Sequence, residues 1–322
     1  MAKQQTFAGL AWQSKGKKTR RERFLSEMEA IIPWAQLLEL IEPHYPKSGR
    51  QGRPPLGLEK MLRIYFLQIW FNLSDPAAEE AIYDSESMRR FARIELSEDK
   101  IPDETTILNF RHLLEEHDLT KAMFETINTL MEGKGLLLRS GTIVDATIIA
   151  APSSTKNSTE SRDPEMKQTK KGKNWHFGMK FHVGTDRRGV VHSLVGTHAA
   201  TADITQMSSL LHGKEQTIFG DQAYWKEADR QQFTDKGIRY RVNRRGNANR
   251  PLTEHQKKIN QSRSRTRARG EHAFRVVKQL WGYTKVRYRG IAKNTARAFT
   301  SFALANLYLM RRWIVPHQEW CL

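Results

Sequence analysis

One stretch limits what this chain can fold into more than any other: Gly141-Thr142-Ile143-Val144-Asp145-Ala146-Thr147-Ile148-Ile149. Its Ile, Val and Thr residues predict a short β-strand, and a carboxylate stands in its middle. An isolated ionised carboxylate in an apolar strand is expensive, so Asp145 needs water, a partner or a metal. From the strand alone two readings stay open. Asp145 is a strand acid satisfied by backbone or by an arginine, or it is a functional acid.

The rest of the second half has the same texture. From Gly135 onward, strand-like segments at 141–149, 176–185, 190–197, 217–220 and 239–242 alternate with helical ones at 204–211 and 226–236. Three adjacent strands, then helix, strand, helix and strand, is the order of a ribonuclease-H-like α/β domain with a mixed sheet. In that architecture the first three strands are antiparallel and the later ones enter by helical crossovers.

The first half reads differently. Helical periodicity covers 23–32, 34–41, 56–73 and 88–94. Ser74-Asp75-Pro76 opens a further helix with Pro near its first turn. Pro102-Asp103-Glu104-Thr105-Thr106 opens another, with Asp103 as its expected N-cap and Asn109, Arg111 and His112 expected to face outward. Gly49-Arg50-Gln51-Gly52-Arg53-Pro54-Pro55 is a loop. Short helices with tight turns fit a helix-turn-helix DNA reader and a plain helical bundle equally well. The expected organisation is a basic mobile arm at 1–23, an all-helical DNA-binding domain at 24–134 and a catalytic domain at 135–322. Two irregular basic loops are expected inside the last, at 151–173 and 243–264.

Charge narrows the partner. The 322 residues carry 53 Lys and Arg against 35 Asp and Glu, a formal charge of +18 and a pI near 10.0. Such a field favours a polyanion, either nucleic acid or an anionic membrane surface. The most apolar long segment, 296–315, is interrupted by Arg297, Asn306, Arg311 and Arg312, which makes it a core helix and not a span. No apolar run follows the early lysines, so no secretory signal is expected, and the only cysteine, Cys321, allows no internal disulfide. Both fit the cytoplasm. Between residues 239 and 289 there are 16 Lys and Arg against only Glu254 and Glu271. Ordinary surfaces mix signs, so this region fits a groove that tracks phosphates.

Two more acids then matter. Asp221 ends the short apolar run Thr217-Ile218-Phe219-Gly220, where an acid is also a common turn residue. Glu271 lies in a helical stretch whose Arg267, Glu271, Arg275 and Lys278 share one face, with Ala273, Phe274, Val276, Val277 and Leu280 on the other, which is expected to be buried. A lone Glu there sits where phosphates want to be, unless a cation stands between. If Asp145, Asp221 and Glu271 converge, they offer hard oxygen ligands for Mg²⁺. Two such ions roughly 3.5–4 Å apart can activate a water or 3′-hydroxyl for in-line attack on phosphorus. Trp175 and His176 stand beside Lys170, Lys171 and Lys173, where a ring could stack on an unpaired base or pack at the domain edge.

Val144-Asp145-Ala146-Thr147, Gly220-Asp221-Gln222-Ala223-Tyr224 and Arg267-x-x-x-Glu271-x6-Lys278 resemble the three acidic motifs of DDE transposases from bacterial insertion sequences. The resemblance is to the insertion sequence five group, related to the insertion sequence four group. It extends to Leu73-Ser74-Asp75, to Thr105-Thr106-Ile107-x-Asn109-Phe110-Arg111, to Pro152-Ser153-Ser154-Thr155-Lys156-Asn157 and to Asp163-Pro164-Glu165-Met166 and Trp175-His176-Phe177-Gly178-Met179-Lys180. One departure is that Ser264 stands where the insertion sequence four group has a Tyr. The resemblance implies a ribonuclease-H-like catalytic core and Asp145, Asp221 and Glu271 as ligands of two Mg²⁺ ions, with Mn²⁺ as substitute. It implies Arg267 and Lys278 on transposon-end DNA, and a homodimer pairing two ends. The implied activity is cutting at terminal inverted repeats and joining the 3′ ends to target DNA, in the nucleoid. A nuclease of the same fold without strand transfer and a non-catalytic DNA-binding protein are the competing expectations.

Overall fold

The computed structural model describes residues 12, 14–47, 54–156, 160–246, 249 and 251–315. Most of the expected arm and of the loop at 49–55, Asn157, three positions of the expected loop at 243–264, and Cys321 lie outside the described residues.

The helical half begins earlier than its apolar pattern implies. Helix α1 (Arg20–Ile31) is fixed by a capping box. The Thr19 hydroxyl accepts from the Glu22 amide at 3.2 Å, and the Glu22 carboxylate accepts from the Thr19 amide at 3.2 Å. Then come α2 (Trp34–Ile41), α3 (Leu58–Trp70), α4 (Asp75–Asp84), α5 (Glu86–Phe91), α6 (Glu104–Glu116) and α7 (Leu119–Gly133). Ser74 and Asp103 cap α4 and α6 as their positions predict, accepting from Ala77 and Thr106 amides at 3.3 and 2.7 Å. Helix α3 is buried on every side from Met61 to Trp70, so it is the centre of this half.

Arg111 corrects the sequence reading. Asn109 and His112 are exposed as expected, but Arg111 is buried. It donates to Glu115 at 3.0 Å and Asp75 at 3.2 Å, and its guanidinium lies 4.0 Å from the Tyr288 ring centroid. The ring comes from a residue far along the chain, so local periodicity could not reveal the pocket.

The second half forms one mixed sheet. Strand β1 (Gly141–Ala150) pairs antiparallel with β3 (Asn174–Thr185), setting Asp145 opposite Val183. β3 carries both β2 (Lys167–Lys171) and β4 (Val191–His198) on its other edge, β2 against 174–178 and β4 against 179–185. On the far side β1 pairs parallel with β5 (Thr217–Gly220), and β5 parallel with β6 (Arg239–Val242). Helix α8 (Glu227–Asp235) makes the crossover between them. This is the ribonuclease-H-like arrangement expected of the chain.

Three local expectations change. The basic loop at 151–173 contains β2, whose Lys and Thr side chains give no apolar alternation and which exists by pairing with β3. The irregular stretch at 243–264 contains most of α9 (Glu254–Arg267), opened by a capping box of Thr253 and Gln256 and burying none of its residues. The helix expected at 204–211 is two 3₁₀ turns, Asp203–Gln206 and Ser208–Leu210.

After α9 the chain stays helical but changes pitch. A 3₁₀ turn (Ala268–Gly270) leads into α10 (Glu271–Phe274) and a π-helical turn (Arg275–Leu280), whose wider pitch breaks the α-helical spacing and leaves Leu280, expected on the buried face, exposed. Gly270 makes this possible: a Cβ there would lie 3.1 Å from the Ile143 side chain and 3.2 Å from Thr185 Oγ1. The missing side chain lets this turn rest directly on β1.

The last helix, α11 (Ile291–Ile314), ties the halves together. It packs on α7, β4 and α1. Its buried Asn306 accepts from the Val191 amide at 2.8 Å and donates to the Asn128 side chain at 2.9 Å and the Val191 carbonyl at 2.7 Å. Asp163 and Glu165 accept from the first amides of this helix, Gly290 and Ile291, each at 2.7 Å. One apolar core runs without interruption from Leu25 through Phe181 to Met310. Among the described residues no helix is long and apolar enough to cross a membrane.

Candidate active site

Asp145 leaves β1 on the face that α9 and α10 cover. Its carboxylate accepts from the Ala146 amide at 2.9 Å and from Arg267 Nη1 at 3.0 Å. Arg267, at the end of α9, also holds Glu271 Oε1 through Nη2 at 2.9 Å, one helical turn on. Its buried Nε has no hydrogen-bond partner. Asp221 follows β5 on the parallel neighbour of β1, and its carboxylate caps the next 3₁₀ turn by accepting from the Ala223 amide at 2.8 Å.

These three acids line a single open cavity of about 1070 Å³. Five of the cations singled out from the sequence, Arg267, Arg275, Lys278, Lys170 and Lys171, line it as well. Lys278 reaches back to β1, donating to Thr147 Oγ1 at 3.0 Å and the Ile148 carbonyl at 2.9 Å. Its ammonium is pushed below the ordinary lysine value by burial and then by Lys171. Lys173, Trp175 and His176 sit on the β2–β3 hairpin outside the cavity wall. Trp175 is 66% exposed, with Lys170 Nζ 5.9 Å from its ring centroid. The stretch holding it is therefore not a packed domain edge.

Two further wall residues have no role assigned by the sequence: Asp203 carries no signal there, and Lys180 stands only at the end of the resembling stretch 175–180. Lys180 on β3 donates to Asp203 Oδ1 and to the Thr201 carbonyl, both at 2.8 Å. The pair is far apart in the chain and is made only by the turn that follows β4.

The electrostatics are uneven. Burial pushes the Asp145 carboxyl up to about 6; Arg267 and the Ala146 amide pull it down, and Asp221 and Glu271 push it further up. One arginine therefore does not neutralise the acids around it. Among the described residues no group of three or more Asp, Glu, His or Cys side chains is close enough, as placed, to hold one metal ion. The Arg267 guanidinium stands between Asp145 and Glu271, where a shared cation would sit. The donor set still fits a divalent ion: hard carboxylate oxygens and an under-neutralised buried acid in one polar cavity.

Comparison with known families agrees with both halves. Residues 13–113 match the family described as Transposase domain (DUF772), across the helical half. Residues 137–307 match the Transposase DDE domain, from just before β1 to within α11. That family works on DNA and depends on divalent metal. The second match alone spans more than half of the chain and contains every acid of the cavity, so the chain belongs to the DDE transposase family and is an enzyme of DNA transposition.

Proposed function

We propose that the cavity is the catalytic centre, and that Asp145, Asp221 and Glu271 hold two Mg²⁺ ions, replaceable by Mn²⁺, on a DNA strand end. The observation that carries this is the convergence of all three acids, from β1, β5 and α10, on one cavity walled by cations. When bound, the ions supply an activated oxygen nucleophile and stabilise the leaving oxygen of an in-line displacement at phosphorus. The chain's own groups do the rest. Asp145, Asp221 and Glu271 would hold the ions through their carboxylate oxygens. Arg267 leaves the acids it now pairs with and turns to the phosphate. Lys278, anchored on Thr147 and Ile148, fixes the height of the strand over β1. Lys170, Lys171 and Arg275 continue the positive wall and track the backbone.

The activity proposed is binding of terminal inverted repeats, partly through the helical half, cutting at the element ends and joining of the 3′ ends to target DNA by a homodimer. Kinship to the insertion sequence five group rests on the motifs alone. Incubating the protein with pre-cut ends, a target plasmid and Mg²⁺ tests the activity. Joined products are expected. Nicking of uncut ends without any joined product would instead mark a nuclease of the same fold.

A further inference from the structure

Asp203 is an acid of the cavity wall that none of the three family motifs contains. Lys180 and two buried side chains, each with an unpartnered polar atom, lie around it. Lys180 is bonded to it at 2.8 Å. The fully buried His182 places Nδ1 3.8 Å from Oδ1, and that nitrogen has no hydrogen-bond partner. The third is Tyr224, whose 3₁₀ turn (Gln222–Tyr224) packs on the turn Asp203–Gln206 and which is buried with Val144, Ile218 and Val242. Tyr224 is fully buried, and its hydroxyl also lacks a partner. Burial pushes this phenol up, and the charges it next feels are those of Asp203, Asp145 and Asp221, in that order.

A buried donor left unpaired is costly, and native structures keep one where it serves a second state. The backbone around Tyr224 is meanwhile well fixed. Its carbonyl accepts from the Tyr240 hydroxyl at 2.7 Å, and its amide donates to the Asp221 carbonyl at 3.2 Å. Only the hydroxyl is left without a partner. Three carboxylates also fall one negative charge short of two divalent ions, and Asp203 supplies the fourth.

Resting on the reading of the cavity as a cation site, we propose that Asp203 is its fourth carboxylate, kept in place by Lys180, and that Tyr224 is a positioning residue whose hydroxyl aligns Asp203 with Asp145 and Asp221. The test uses the full chain without DNA, with free Mn²⁺ followed by electron paramagnetic resonance during titration. Asp203→Asn, which removes a carboxylate ligand, is expected to weaken Mn²⁺ binding by at least about tenfold, and Tyr224→Phe by about tenfold, as outer partners of metal ligands do. Tyr224→Phe is expected to melt no lower than the parent, because it deletes an unpaired buried group. Wild-type affinity in either variant, with Asp145→Asn weakened, overturns the proposal alone. Wild-type affinity in Asp145→Asn as well removes the cation site and this inference with it. A Tyr224→Phe protein that melts several degrees lower makes the hydroxyl a packing group and overturns its assigned role.

Discussion

Among the arginines that stand between two carboxylates, Arg63 between Glu29 and Glu59 contrasts with Arg267 between Asp145 and Glu271. Arg63 is saturated. Its Nη1 donates to Glu29 and to the Phe91 carbonyl at 3.0 Å, its Nη2 to Glu29 and Glu59 at 2.8 Å each, and its Nε to Glu59 at 3.0 Å. Trp34 covers it, with the ring centroid 3.9 Å away. Burial opposes the Arg63 charge, and the two glutamates more than offset that, holding the guanidinium above its usual value. Arg267 has the same neighbours in kind but leaves Nε orphaned and Asp145 under-neutralised. A closed triplet of this sort is a knot between helices. An open one, on a cavity with further acids and cations, is a place kept for another charge.

That contrast can be broken in four ways. The largest effect expected is on chemistry. Asp145→Asn should cut cleavage of an end-bearing duplex by roughly a thousandfold or more, on the order of 4 kcal/mol, while gel-shift affinity for the same duplex changes little. Wild-type cleavage would return Asp145 to the role of a satisfied strand acid.

Next come the two arginines themselves. Arg63→Met should cost about 2–4 kcal/mol in urea unfolding, below the full figure for a broken buried pair because both glutamates reach solvent. Added Mg²⁺ should not restore it. Arg267→Met should also lose stability, and Mg²⁺ should restore most of it. Equal behaviour of the two variants would erase the distinction drawn above.

The third effect is a pH slope. The folded Asp145 carboxyl, raised from 3.8 to about 6, keeps its proton where the unfolded chain has lost it. Its contribution is therefore fully present below pH 3.8 and is lost as pH rises through about 6, on the order of 1–3 kcal/mol. Asp145→Asn should lack this slope, so its stability relative to the parent should grow between pH 4 and pH 7. A flat difference across that range would mean Arg267 neutralises the acid fully. Smallest is Trp175→Ala. It should leave the melting temperature unchanged and weaken binding of an end with unpaired bases by about tenfold, if the exposed ring stacks on a base. Full-rate cleavage and unchanged binding would confine the ring to the hairpin surface.

Local sequence carried a good part of this. Ile, Val and Thr around Asp145 announced β1, and Thr217-Ile218-Phe219-Gly220 announced the strand that ends at Asp221. A single acid among many bases drew attention to Glu271. What local sequence lacked were features made by distant partners. β2 has no pattern of its own and borrows its conformation from β3. α9 buries nothing, so apolar periodicity could not find it, although Thr253 and Gln256 spell a capping box. The inward turn of Arg111 depends on Tyr288, and the Lys180–Asp203 pair depends on the turn after β4. The place of Arg267 between Asp145 and Glu271 needs both α9 and β1, and sequence spacing gave only half of it.

The central claim is that the acids of this cavity release Arg267 and close on divalent ions. The most direct measurement is an anomalous difference map of a Mn²⁺-soaked crystal of the protein bound to a pre-cut DNA end. Peaks bounded by Asp145, Asp221 and Glu271, with the Arg267 side chain moved onto phosphate, are expected. A cavity without peaks at saturating Mn²⁺, with Arg267 still bridging Asp145 and Glu271, would contradict the account.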